Sequence, residues 1–158
     1  MDISDWSELF VAAAGASAAL AGLIIVAMSV NVDVIVASPS MPSRAGATIS
    51  VLVLATLISI VALIPGLSVS ATGWVILVIA LAGTVLPLES AVRLVRDKVS
   101  SPLAKSAVLV IPTLAMVVGG VVLVTGDAAG LYWVVAGIVL GFVGTVLNAW
   151  VVLIELRR

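Results

Sequence analysis

The chain has 158 residues, of which 63% are hydrophobic and only 9% are charged. A soluble domain is roughly 45–50% apolar and about 25% charged, and a small soluble fold leaves much of its surface in water. The composition therefore excludes a water-soluble globular protein and indicates an integral membrane protein, with the lipid bilayer as its main partner. The net charge of −1 provides no basic footprint for nucleic acid.

Cysteine and histidine are both absent from the chain. This removes disulfides and the commonest ligands of zinc, haem and iron–sulfur clusters. The sequence also lacks a P-loop, a dinucleotide-binding fingerprint and a serine-hydrolase motif. We therefore expect no catalytic residues, no cofactor, no metal and no enzymatic activity. A bound lipid or quinone stays possible, because such sites need only an apolar groove and a few polar groups.

Five apolar stretches are long enough to cross a bilayer, which takes about 20 residues. Polar and Pro- or Gly-containing segments separate them. The sequence predicts an all-α integral membrane protein, a bundle of five transmembrane helices in one domain of residues 1–158. Pro87 lies inside the third helix and is expected to kink it. In chain order, the predicted helices cover residues 8–37, 44–64, 72–98, 102–124 and 131–157.

Charge predicts a direction for this bundle. With five crossings, all seven basic residues fall on the side of the C-terminus, and the opposite side carries only acids. The positive-inside rule then places the N-terminus outside and the C-terminus in the cytoplasm, in a cell membrane. The richness in Val, Ala and Gly is typical of a bacterium with GC-rich DNA. The basic residues are Arg44, Arg93, Arg96, Lys98, Lys105, Arg157 and Arg158, and the acids opposite are Asp2, Asp5, Glu8 and Asp127.

The positions of the aromatic residues support the same orientation of the bundle. Trp and Tyr concentrate at membrane–water interfaces, where their rings contact both lipid and headgroups. Five aromatics of this chain fall at the predicted outer interface, as an aromatic belt would. They are Trp6, Phe10, Trp74, Tyr132 and Trp133.

The first helix carries a line of small residues, Gly15, Ala19 and Gly22, which Val26 and Ser29 continue. At helical spacing they share one face, with Glu8 and Asp33 near its two ends. Small residues let helix backbones approach closely in lipid, so we interpret this face as a helix-packing interface. The alternative is a pore in a homo-oligomer, with Glu8 and Asp33 forming acidic rings that suit cations.

The fifth helix shows a similar line. Gly137, Gly141 and Gly144 share one face, and Asn148 and Glu155 continue it towards the C-terminus. The spacing again predicts close helix packing. The sequence does not reveal which of the two lines faces inside the bundle and which faces a neighbour.

Polar residues also gather at the predicted inner end. Glu89 and Arg93 are four residues apart and are expected to pair. Charged groups at membrane depth usually face protein or water, so the cluster is either an ion or proton relay, a docking site, or a set of interfacial anchors. We favour anchors for most of the cluster and exempt Asn148, which needs a hydrogen-bond partner. The cluster comprises Asn31, Asp33, Arg44, Glu89, Arg93, Asn148 and Glu155.

These observations favour a non-enzymatic packing or accessory subunit of a membrane complex, which docks against sister copies or a larger assembly. A homo-oligomeric ion channel or small transporter lined by the first helix is the alternative.

Overall fold

The computed structural model describes residues 3–37, 41–96 and 102–155. A short 3-10 helix precedes six α-helices, and five of these are long and apolar enough to cross a membrane: α1, α3, α4, α5 and α6. The prediction of an all-α protein with five membrane-spanning helices is therefore confirmed. In chain order the elements are the 3-10 helix Ile3–Trp6, α1 Ser7–Val30, α2 Val32–Ala37, α3 Met41–Ala62, α4 Val69–Arg96, α5 Pro102–Val124 and α6 Gly130–Glu155.

The first predicted helix is interrupted at Asn31. The prediction of one continuous helix over 8–37 was wrong, because Asn31 forms a turn between α1 and α2. Its side-chain amide donates to the carbonyl of Ala27 (2.9 Å), and its backbone N–H donates to Met28, three residues back (3.1 Å). Asn competes in this way with regular helical hydrogen bonds.

The second helix begins earlier than predicted, at Met41 rather than Arg44. The predicted start at Arg44 leaves Pro42 in the break between the first two helices. A proline is tolerated in the first helical turn, because an N–H there would have no intrahelical acceptor. The helix ends at Ala62, two residues before the predicted end, and Gly66 then turns the chain with φ of 80°.

Polar side chains form hydrogen bonds at the starts of α4 and α6. The Ser68 hydroxyl accepts the backbone N–H of Ala71 (3.2 Å), so α4 begins at Val69, three residues before the predicted start. The Asp127 carboxylate accepts the N–H of Ala129 (2.8 Å) just before α6. Each bond satisfies an amide that helical geometry leaves without an acceptor.

Four helices, α3 to α6, form a closed ring in which each packs against the next and α6 returns to α3. The ring encloses the main core, which includes Ile58, Ile76, Met116 and Val134, all fully buried. α1 lies outside the ring and packs mainly on α3. Because α3 therefore has neighbours on three sides, it is the most enclosed of the spanning helices.

Adjacent glycines in α5 bring its two neighbours close. A methyl group added at Gly119 would lie 2.8 Å from the backbone N of Val134 on α6. One added at Gly120 would lie 2.9 Å from the Cα of Leu77 on α4. Consecutive helical positions point to different sides, so this pair serves both contacts.

The contacts sort the helix termini into two ends of the bundle. At one end Trp6, just before α1, packs edge-to-face against Tyr132 at the start of α6, with ring centroids 5.0 Å apart. At the other end Arg44, near the start of α3, meets Asn148 late in α6. We call these the acidic end and the basic end, after the charged residues that the sequence assigns to each.

Four of the five aromatics predicted to form a belt lie at least partly exposed near the acidic end. Trp74, Tyr132 and Trp133 are exposed on the outside of the bundle near the acidic end, and Trp6 is half-buried. Phe10 was assigned to this belt, but its side chain is 0% exposed and belongs to the main core. Phe10 lies near the acidic end, as predicted for a belt residue, but it is on the face of α1 that packs against α3.

Candidate functional site

The two lines of small residues occupy opposite environments. Gly15, Ala19 and Gly22 are all exposed on the outside of α1. A methyl group added at Gly15 or Gly22 would meet no atom within 4 Å. We call this surface the small-residue face of α1.

The face of α1 that packs on α3 lies on the opposite side of the helix. The buried residues of α1 recur at helical spacing and point towards α3. The small-residue face therefore points directly away from the rest of the bundle. The buried residues are Phe10, Ala13, Ser17, Ala21, Ile24 and Met28.

No other outward surface in the described part of the chain has this composition. Between positions 12 and 22, every exposed residue of α1 is Gly or Ala. The outward faces of α4 and α6 carry large residues instead, such as Leu81 and Val85, or Leu140 and Trp150. Large apolar residues maximise contact with lipid tails, whereas small residues leave the backbone open to a neighbouring helix.

The line of small residues in α6 packs against other helices of the same chain. A methyl group at Gly137 would lie 2.6 Å from the Cγ of Met116 and 2.7 Å from the carbonyl of Pro112, both on α5. Gly144 is as close to Val108. Gly141 faces α3, where an added methyl would lie 3.1 Å from Val51. These three glycines therefore hold α6 against α5 and α3.

A hydrogen bond between hydroxyls joins α1 to α3 halfway along the bundle. The Oγ of Ser17 lies 2.8 Å from the Oγ1 of Thr56, and either hydroxyl can donate to the other, which then donates to a carbonyl of its own helix. Sequence analysis missed this pair, although two hydroxyls inside apolar spans were visible signals. Such bonds stabilise helix association in lipid by about 0.6 kcal/mol.

Arg44 and Asn148 form a buried polar network at the basic end. Both residues are buried, Arg44 to 3% exposure, and an Nη of Arg44 donates to the Oδ1 of Asn148 (2.9 Å). The Asn148 amide donates to the hydroxyl of Thr48 (2.6 Å), which itself donates to the carbonyl of Arg44 (2.8 Å). Asn148 thus has the partners that its depth requires. Thr48 was missed, although it lies four residues after Arg44.

Glu89 and Arg93 pair on the outside of α4, as predicted, with Arg93 donating to the Glu89 carboxylate at 2.5 Å. Their side chains are 47% and 53% exposed. The 28 residues of α4 measure about 42 Å at 1.5 Å per residue, longer than the hydrocarbon core of about 30 Å. Both residues lie in the last third of α4, near the basic end.

The remaining polar candidates lie on α1 and α2. Ser29 is exposed and donates to the carbonyl of Ile25 (2.7 Å), while Asp33 and Glu8 are exposed near the two ends of this outer surface. Glu155, Lys98 and Lys105 have side chains outside the part that the structure describes. The described polar residues are therefore divided between the interior and two separate outer surfaces, and they do not line one path.

This architecture is that of a multi-pass, all-α membrane protein. No family model matches the chain, and no curated protein and no solved structure is significantly similar to it.

Proposed function

We propose that this chain is a non-enzymatic packing subunit of a cell-membrane complex, and that the small-residue face of α1 docks a transmembrane helix of another chain. The observation that carries the proposal is the composition of that face. Over three turns it presents only Gly and Ala, and it points away from the ring formed by α3 to α6.

The physical argument concerns what covers each helix face in lipid. Lipid tails are as apolar as Leu, so helices associate in lipid through close packing rather than through burial from water. A face of Gly15, Ala19 and Gly22 leaves its backbone accessible for such packing. The line of glycines in α6 packs closely against α5 and α3 of the same chain, which is the kind of contact that we propose for the face of α1.

The position of α1 also supports docking. Because α1 lies outside the ring and packs mainly on α3, the ring does not obstruct a helix that approaches the opposite side. The proposed orientation places the N-terminus outside and the basic end in the cytoplasm, since Arg44, Arg93 and Arg96 lie at that end.

Native mass spectrometry of the chain, purified from its own membranes in mild detergent, tests the proposal. We expect a complex with sister copies or other chains, and Ala19→Leu or Gly22→Leu to release the monomer. Ala136→Leu is the matched control, because Ala136 is exposed on α6 among large residues. A wild-type monomer, or a complex that survives both α1 substitutions, would contradict the proposal.

One observation favours the alternative of a homo-oligomeric channel or small transporter lined by α1. Glu8 and Ser29 are exposed and continue the small-residue face of α1, and Asp33 is exposed on α2, just after the turn at Asn31. In a ring of copies they would form polar rings suited to cations. Cation flux into vesicles that contain the chain, reduced by the Glu8→Gln and Asp33→Asn substitutions together, would support this alternative, whereas absence of flux in the wild type would exclude it.

A further inference from the structure

A cavity of about 560 Å³ lies at the acidic end of the bundle. The 3-10 helix and the start of α1 form one wall, and the end of α3, the connection after it and the start of α4 form the other. Ile3, Ser7, Leu63, Ile64, Ser68 and Thr72 are among its lining residues. The volume is within the range of small-molecule sites, about 300–1,000 Å³.

Thr72 provides a polar group directed at this cavity. The residue is 1% exposed, yet its hydroxyl makes no hydrogen bond within the described part of the chain. Its oxygen is also not sealed off by protein atoms, so it opens onto the cavity that the residue lines. Most other buried hydroxyls of the described residues bond a carbonyl of their own helix, as Ser59 and Thr84 do, and Ser90 is the exception.

A buried hydroxyl without a partner costs free energy, because it has lost its hydrogen bonds to water. The exposed hydroxyl of Ser7 lines the same cavity. Ala62, the last residue of α3, also lines the cavity, and the last carbonyl groups of a helix have no intrahelical donor. A ligand in the cavity therefore meets donors and acceptors together.

No charged side chain is among the described residues that line the cavity. A charged head group would consequently leave water without a compensating charge, which is costly. Asp5, Glu8 and Asp127 are the described charged residues of this end, and they repel an anion. The remaining lining is apolar, with Ile3 and Leu63 as examples.

We propose that this cavity binds a neutral amphiphile whose hydroxyl-bearing head both donates and accepts hydrogen bonds, of the chemical class of the monoacylglycerols. The head bonds the hydroxyls of Thr72 and Ser7, and the first part of the acyl chain packs on Ile3, Leu63 and Ile64. This site is independent of the proposed docking by α1, since the small-residue face is not part of its lining.

Photo-crosslinking tests the site directly. The full chain in nanodiscs of phosphatidylcholine is exposed to monoacylglycerol with a photoactivatable group near its head, and labelled peptides are mapped. We expect labelling of residues 3–7 or 62–72 that unlabelled monoacylglycerol competes away. A probe with the same acyl chain and a carboxylate head should label this site far less, because the acids of this end repel it. A probe with a trimethylammonium head should also label it less, because that head has no hydrogen-bond donor or acceptor for the two hydroxyls.

Two variants and a matched control complete the experiment. Thr72→Val keeps the shape of the side chain and should weaken labelling about fivefold, the equivalent of one hydrogen bond. Thr84→Val changes a buried threonine of the same helix whose hydroxyl bonds Ala80, so labelling should not change. Ser7→Ala alters an exposed residue, and it provides a second measurement if Thr72→Val fails to fold.

Three results would overturn the proposal. Equal labelling by all three head groups would show that the cavity does not select a neutral ligand. Equal labelling of Thr72→Val, Ser7→Ala and the wild type would show that the hydroxyls do not bind it. Labelling confined to lipid-facing surfaces, such as the apolar groove of about 230 Å³ between α5 and α6 that Ile111 and Leu140 line, would show nonspecific lipid contact.

Discussion

Arg44 and Asn148 are 104 positions apart in the chain, and their side chains are joined by a buried hydrogen bond of 2.9 Å. This bond closes the ring of helices at the basic end, because Arg44 belongs to α3 and Asn148 to α6. It also provides the buried guanidinium group of Arg44 with a hydrogen-bond acceptor. The stability of that end therefore depends on Asn148.

Asn148→Ala should lower the free energy of unfolding by about 2 kcal/mol, because it removes a hydrogen bond to a buried charged group. Unfolding by a denaturing detergent, followed by circular dichroism, measures the change. Asn148→Asp keeps an acceptor for Arg44 and should retain more stability. Asn31→Ala, at a turn outside the ring, is the control. Equal stability of Asn148→Ala and the wild type would show that the network is dispensable.

Gly137→Leu and Gly22→Leu should differ sharply in their effects on the monomer. A side chain at Gly137 collides with Met116 and Pro112, so we expect loss of the folded species on size-exclusion chromatography. A side chain at Gly22 meets nothing within 4 Å, and Leu is the better helix former by up to about 1 kcal/mol. The Gly22→Leu monomer should keep its thermal midpoint or gain slightly. Equal loss of folded protein in both variants would contradict the different environments of the two lines.

Ser17 and Thr56 should show a small favourable coupling energy in a double-mutant cycle. We expect about 0.6 kcal/mol, the average for hydrogen bonds between membrane helices, from Ser17→Ala, Thr56→Val and the double variant. Detergent-induced unfolding provides the four free energies, that of the wild type included. Ser59→Ala replaces Ser17→Ala in the control cycle, because Ser59 bonds only a carbonyl of its own helix. Zero coupling would show that the two hydroxyls do not stabilise the docking of α1.

Glu89→Gln should change stability by less than about 0.5 kcal/mol. The pair with Arg93 is roughly half exposed, and exposed ion pairs contribute little. The same variant should leave proton flux into reconstituted vesicles unchanged if the pair is an interfacial anchor. A large effect on flux with normal stability would instead support the relay that the sequence left open.

The proposed orientation has a direct test, because the chain contains no cysteine. A maleimide that does not cross membranes should label the Asp127→Cys variant in intact cells, since Asp127 is exposed at the acidic end. The Arg96→Cys variant should react only after the cells are permeabilised. The reverse pattern would place the basic end outside and contradict the positive-inside assignment.

The sequence predicted the number and approximate limits of the spanning helices. Each limit depends only on the length of one apolar stretch and on the polar, Pro- or Gly-containing segments beside it. It erred where one side chain decides a boundary. Asn31 diverts two hydrogen bonds and interrupts the first helix, while Ser68 and Pro42 let the next helices begin early. Pairing of Glu89 with Arg93 was also predictable, because both residues lie on one helix four positions apart.

The candidate sites were less accessible to sequence reasoning. The line through Gly22 and the line through Gly141 look alike along the chain, and the order of the helices around α3 assigns one to the outside and the other to the core. Phe10 lies at the level of the aromatic belt, yet the rotation of α1 buries it. The cavity at Thr72 is lined by two segments far apart in the chain, within residues 3–7 and 62–72, and it has no local signature.

Sequence alone determined that this protein is an all-α membrane protein with five spanning helices, because the cost of leaving apolar residues in water and backbone groups unpaired in lipid applies to each segment separately. Only the tertiary structure decided which faces are used within the chain, since in lipid every face is apolar and only packing distinguishes the inside from the outside. By that criterion α6 uses its glycines within the bundle, and α1 presents its small residues outward.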